Sequence, residues 1–163
     1  MKNLFTKTVL EYLVMINDQS YSGIGRELNI TPQQFSDWIK KRRPIPQERV
    51  RLLSNYFGVE ETILIDHQYF VKPLTPIARI ELHKLLLDRK LTELKTEEVS
   101  EEDIRPYLEK KKQLEQEYRD QLRLTRMAAI LEKGDERAGN IFDMVIEELE
   151  SGSMDELFNK LRK

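Results

Sequence analysis

The sequence contains no cysteine. Disulfide and thiol chemistry are thereby excluded, and a zinc site would need two histidines plus carboxylates. No apolar segment approaches the roughly 18 residues that a membrane span requires. The start, MKNLFTKTVLEYLVMIND, pairs a lysine with an apolar run, but it carries Glu11 and lacks a small-residue cleavage site, so no signal peptide is expected. These absences predict a soluble cytoplasmic protein without a membrane partner. Chemistry-bearing clusters are scarce too. Gly23-Ile24-Gly25 follows no strand pattern and has no third glycine, which argues for helix packing over a phosphate loop. His67 and His83 have no partners at metal spacing and read as ordinary surface histidines. The acidic residues Glu97, Glu98, Glu101, Glu102 and Asp103 lack the alternating ligands and central glycine of a calcium loop. No nucleophile–base signature stands out either. Neither an enzyme nor a metal or cofactor is expected.

What is present is charge and helix-forming sequence. Charged residues make up 34% of the 163 and apolar ones 39%, polar for a globule but too apolar for disorder. The net charge of −2 is unevenly spread. Residues 1–72 hold ten Lys/Arg against eight Asp/Glu, and residues 73–163 hold seventeen against twenty-one. Within 20–51 the balance is seven against three. A local basic excess inside an acidic chain points to a directed polyanion contact.

Apolar spacing predicts an all-α protein. Leu4/Phe5, Val9, Leu13 and Ile16 mark a first helix, and Ile24 and Leu28 a short second one over 21–28. A tight turn at 28–30 leads to a third helix over 31–41. A fourth covers about 47–57 and stops at Gly58, and a short fifth lies in 60–66. Residues 67–76, HQYFVKPLTP, hold two prolines and no helical period, so they predict a linker. Beyond it, 77–163 reads as helical and partly coiled-coil-like. A helix over 77–95 is followed by a short turn at 100–104 and a long helix from about 106 to 133, since Pro106 sits too deep for a start at Ser100. An amphipathic helix carrying Ile141, Phe142, Val145 and Leu149 ends at Gly152. A capping box, Ser153 to Glu156, then opens a last one.

The third helix carries the most information. Thr31 suits an N-cap, Pro32 the first helical position, and Gln34 the third position of a capping box. At 100° per residue Phe35, Trp38 and Ile39 share one face, which must be the buried one. Gln33, Asp37 and Lys40 then point outward, flanked by Gln34, Ser36 and Lys41. Glutamines at the start of an exposed helix suit a major groove, because Gln bonds adenine N6 and N7 together, while Lys and Arg hold phosphates. Pro44 and Pro46 stiffen the exit that bears Lys41, Arg42 and Arg43.

Residues 8–66, and above all SYSGIGRELNITPQQFSDWIKKRRPIPQER, resemble the lambda-repressor-like (Xre/Cro-type) helix-turn-helix domain of bacterial and phage regulators. The likeness rests on Leu28, Ile30, the capping Thr31 and the inward Phe35 and Trp38. It implies a five-helix N-terminal domain (1–66) that binds double-stranded DNA. In that frame Gln33, Gln34 and Asp37 face bases, while Tyr21, Ser22, Lys40, Lys41, Arg42 and Arg43 hold phosphates. The sequence departs from the pattern at Tyr21, where Gln is common, at Gly25, where Ala is usual, and at Lys41, where Gly is usual. The functional expectation is a sequence-specific regulator, a repressor of phage or mobile-element type. Residues 77–163 would supply dimerisation or partner binding. An alternative is an anti-repressor or antitoxin-like adaptor that uses the same scaffold for protein contacts.

Overall fold

The computed structural model describes residues 8–162, and over them the chain is all-α, with nine helices and no strand. Five short helices come first: α1 (Val9–Ile16), α2 (Tyr21–Leu28), α3 (Pro32–Ile39), α4 (Gln47–Phe57) and α5 (Glu61–Leu64). Four follow: α6 (Pro76–Thr96), α7 (Glu101–Leu131), α8 (Glu136–Glu150) and α9 (Met154–Leu161). No described helix is long and apolar enough to cross a membrane. The chain forms two compact units, Met1–Leu114 and Glu115–Lys163, and the division falls within α7.

Local chemistry sets most of the boundaries in the first unit. Thr8 and Glu11 close a capping box on α1, while Leu4 and Phe5 lie outside the described residues. Asn29 and Gly58 end α2 and α4 in the left-handed conformation that asparagine and glycine tolerate best. The core gathers Leu10, Leu13, Ile24, Phe35, Trp38, Val50, Leu53 and Leu64, so every one of the five helices contributes at least one buried side chain.

Residues 67–76, expected as a linker, are instead built into this unit. Val71 and Leu74 are buried in its core. The Val9 amide donates to the Lys72 carbonyl at 3.0 Å, the Ile45 amide to the Tyr69 carbonyl at 2.8 Å, and Lys72 N to Leu64 O at 2.9 Å. Isolated antiparallel bridges pair Thr8 with Pro73 and Ile65 with Val71. Proline breaks the helix here, as expected, but an extended strap with paired amides is as much a part of a fold as a helix is. Helix α6 then docks on the same core through Leu82, with Ala78 and Leu85 beside it. Its Arg89 donates to the Phe57 carbonyl at 3.1 Å, satisfying one of the open carbonyls at the end of α4. His83, expected at the surface, is half-buried. Its ring stacks on Tyr12 with centroids 5.7 Å apart, and its Nε2 is hydrogen-bonded to the Tyr12 hydroxyl.

Two further expectations are corrected. Helix α7 starts at Glu101 and runs through Pro106 instead of beginning there. Ser100 supplies the start, accepting from Asp103 N at 3.3 Å and donating to the Asp103 carboxylate at 2.6 Å. Pro106 removes only the bond to the Glu102 carbonyl, and both residues are exposed, so water can take its place. At α9 the expected capping box does not form. Ser153 has ψ 39°, far from the extended value that aims an N-cap oxygen at the first turn, and its Oγ lies 3.0 Å from Ser151 Oγ.

Candidate nucleic-acid interface

The surface built by α2, α3 and the exit from α3 begins with two caps. Ser20 Oγ accepts from Gly23 N at 3.0 Å and starts α2. At α3 the capping box predicted from Thr31 and Gln34 is formed, with Gln34 N donating to Thr31 Oγ1 at 3.2 Å and Thr31 N donating to Gln34 Oε1 at 2.8 Å. Phe35 and Trp38 are buried edge-to-face at 5.8 Å, and Ile39 is half-buried beside them. This fixes the rotation of α3, with Gln33 on its exposed side.

The end of α3 is a Schellman turn. Lys41 N donates to Trp38 O at 3.0 Å and Arg42 N to Asp37 O at 2.8 Å, while Lys41 takes the left-handed φ of 53°. The usual apolar contact across such a turn is replaced by an ionic one, since Asp37 and Arg42 lie 3.8 Å apart. Arg43 approaches the same carboxylate at 3.9 Å, and Gln33 Nε2 donates to it at 2.9 Å. Asp37 is therefore the hub of the outward face. Its side chain is only 15% exposed, whereas those of Arg42 and Arg43 are 60% and 78% exposed. Ile45, buried between Pro44 and Pro46, anchors the basic exit to the rest of the unit.

The residues singled out from sequence thus separate into groups. Gln33, Asp37, Arg42 and Arg43 come together in one network. Lys40 and Lys41 are exposed at the helix end, and Ser22 is exposed in the first turn of α2. Gln34 is half-buried and spends its carbonyl oxygen on the cap, leaving its amide hydrogens for any further contact. Tyr21 is half-buried, its ring 5.3 Å from Phe35; burial, then the nearby Glu11, push its pKa up to about 12.

Two arginines escaped the sequence reading. Arg26, on the last turn of α2, lines a surface depression with Ser22, Asn29, Thr31 and Pro32, and its Nε donates to the Ser22 carbonyl at 3.4 Å. Spacing of four residues on a helix was the available signal. Arg49 donates to the Leu28 carbonyl at 2.7 Å, closing the end of α2 from across the core. No local pattern announces a partner so far along the chain.

No family model matches the chain, and neither a curated protein nor a solved structure does.

Proposed function

We propose that this protein is a sequence-specific double-stranded DNA-binding regulator, a repressor of phage or mobile-element type, with a lambda-repressor-like N-terminal domain that lays α3 in the major groove. One observation carries the reading. A short helix, locked in rotation by Phe35 and Trp38, presents Gln33 outward and ends in a proline-stiffened exit bearing Arg42 and Arg43. Gln33 has one amide hydrogen tied to Asp37. Its other hydrogen and its carbonyl oxygen suit the N7 acceptor and N6 donor of adenine. Lys40, Lys41, Arg42 and Arg43 supply sequence-independent phosphate contacts, and Ser22 and Arg26 face a second stretch of backbone.

Selection of bound sites from a random duplex pool tests the proposal. A recovered motif whose adenine preference is relaxed by Gln33→Ala supports it, as does uniform weakening and a shallower salt dependence with Arg43→Ala. Failure to bind any duplex at about 100 mM salt would sink it.

A second reading, an anti-repressor or antitoxin-like adaptor, draws support from Asp37. A carboxylate at the middle of the outward face, beside both arginines, opposes a polyanion and suits a protein partner. The two readings part on Asp37→Asn. A DNA reader should bind duplex more tightly and less selectively once the charge is gone. An adaptor should leave duplex binding absent and lose its protein partner.

A further inference from the structure

The chain between α5 and α6 folds into a tight hairpin. Ile65 and Val71 pair antiparallel, flanked by bonds from Asp66 N to Phe70 O and from Lys72 N to Leu64 O, each 2.9 Å. The legs are pinned, since Leu64, Ile65 and Val71 are buried in the core. The tip is the opposite, with His67, Gln68 and Tyr69 all exposed. Asp66 fixes its shape, because one carboxylate oxygen accepts from Gln68 N at 2.9 Å and from Phe70 N at 3.0 Å. Tyr69 takes a left-handed φ of 65°, where a bulky side chain is rare and glycine is the usual choice. A tyrosine held in that conformation at an exposed tip points to a use for its side chain.

The hairpin is fastened to the basic exit of α3. Ile45 N, between Pro44 and Pro46, donates to Tyr69 O at 2.8 Å. Gln68 and Tyr69 border a shallow depression together with Pro44 and Gln47. Lys41 is near enough to act on Asp66. Burial raises the pKa of that carboxyl, but the Phe70 and Gln68 amides, then the charges of His67 and Lys41, bring it below its ordinary value. The tip therefore sits beside Lys41, Arg42 and Arg43. The carboxylates that border it are engaged, Asp66 by the two amides and Glu61 by Arg51 at 3.7 Å.

We infer that His67, Gln68 and Tyr69 form a second nucleic-acid contact, a hairpin tip that grips the phosphate backbone next to the stretch held by the α3 exit. This contact presupposes duplex binding by α3, and adds to it a separate element with donors of its own. Gln68 offers amide hydrogens and Tyr69 a hydroxyl, side-chain donors of the kind that fix a protein's register on a duplex, and His67 adds a ring N–H. Phosphate contacts carry no base preference, so the tip contributes affinity and orientation without altering the sequence read. A polyanion fits better than an apolar protein surface, because three cations and three donors stand together while the bordering carboxylates are engaged.

The test uses the full chain and a duplex recovered by site selection. Phosphate-ethylation interference on the wild type should reveal phosphates outside the α3 stretch whose modification blocks binding. Gln68→Glu should abolish that outer interference and weaken binding to every duplex by at least about tenfold, the effect of losing one hydrogen bond to a charged phosphate. The selected motif should stay the same. Tyr69→Phe keeps the ring and the backbone, and should weaken binding about tenfold through the hydroxyl alone. Fluorescence of Trp38, the sole tryptophan and buried in the first unit, reports that both variants are folded. If the wild type binds its duplex and both variants match it in affinity and interference, the tip contact is overturned while the reading of α3 stands. A lower sedimentation mass for the variants, with unaltered phosphate interference, assigns the tip to a contact between copies and also overturns it. A wild type that binds no duplex overturns both.

Discussion

A Cβ placed on Gly25 would lie 2.4 Å from the carbonyl oxygen of Ile30. That distance decides why a glycine stands in the middle of α2, where helix propensity alone would favour alanine by about 1 kcal/mol. The Ile30 amide also donates to the Gly25 carbonyl at 2.8 Å, so the turn folds back onto the helix at this one point. Gly25→Ala should destabilise the first unit by about 1–3 kcal/mol, because the obstacle is backbone that cannot rotate away. Urea unfolding followed by Trp38 fluorescence measures the loss. A neutral or stabilising outcome would mean that the turn sits farther from α2 than described.

Lys41 holds a position that favours glycine, with φ at 53°. Lys41→Gly should therefore raise stability by about 0.5–1 kcal/mol. If the DNA-binding proposal holds, the same change removes a phosphate contact and lowers affinity for every duplex alike. Opposite signs in thermal melts and in duplex titrations are the expected pair. Loss of both properties together would show that the lysine side chain supports the turn.

Tyr21 gives a pH dependence with a definite sign. Burial, assisted by Glu11, raises its pKa to about 12 from an ordinary value near 10. Below pH 10 both folded and unfolded chains keep the proton, and the contribution to stability is complete. Between about pH 10 and 12 the unfolded chain loses the proton first, so stability falls and the contribution is gone above the folded value. Tyr21→Phe should flatten this alkaline decline. Absorbance of tyrosinate near 295 nm, compared between the two proteins, should show one phenol titrating last.

Arg89 joins α6 to the end of α4, and its guanidinium crowds Gly58 so closely that a Cβ there would meet Nη2 at 2.6 Å. Arg89→Ala should cost about 1 kcal/mol through the unsatisfied Phe57 carbonyl and the lost packing. Amide hydrogen exchange should rise over the last turn of α4 and over α6. Unchanged protection in α6 would mean that apolar packing through Leu82, Ala78 and Leu85 holds that helix without Arg89.

What the sequence made legible was whatever depends on near neighbours. The cap at Thr31, the inward set of Phe35 and Trp38, the stop at Gly58 and the span of α4 all follow from side chains within a turn or two of each other. Lys41 stands out only against the helix-turn-helix pattern that the segment resembles, where glycine is usual, and its φ of 53° gives the physical reason. The outward direction of Asp37 follows from helical spacing, but its role as hub depends on Arg42 and Arg43 turning back after the helix ends. Distant pairings were not legible. Nothing near His83 suggests Tyr12, and nothing near Arg49 suggests the Leu28 carbonyl. The segment 67–76 shows why prolines mislead. They forbid helix without saying whether the extended chain is solvated or pinned, and Val71 and Leu74 settle that only through the core they enter. At Ser153 the residue types were right, but the backbone angle directs the hydroxyl elsewhere.

The pairing of Thr8 with Pro73 also bears on the order of events during folding. Contacts between α1 and α5 already join segments some fifty residues apart, and the strap adds a second closure of that kind. Strapping its first described residue to a segment beyond the fifth helix adds a long chain closure that must be completed before the Val9 and Lys72 groups find each other. During synthesis that closure cannot happen until the strap has left the ribosome. A helix-by-helix reading would leave outside the domain the residues, Val71 and Leu74, that complete its core.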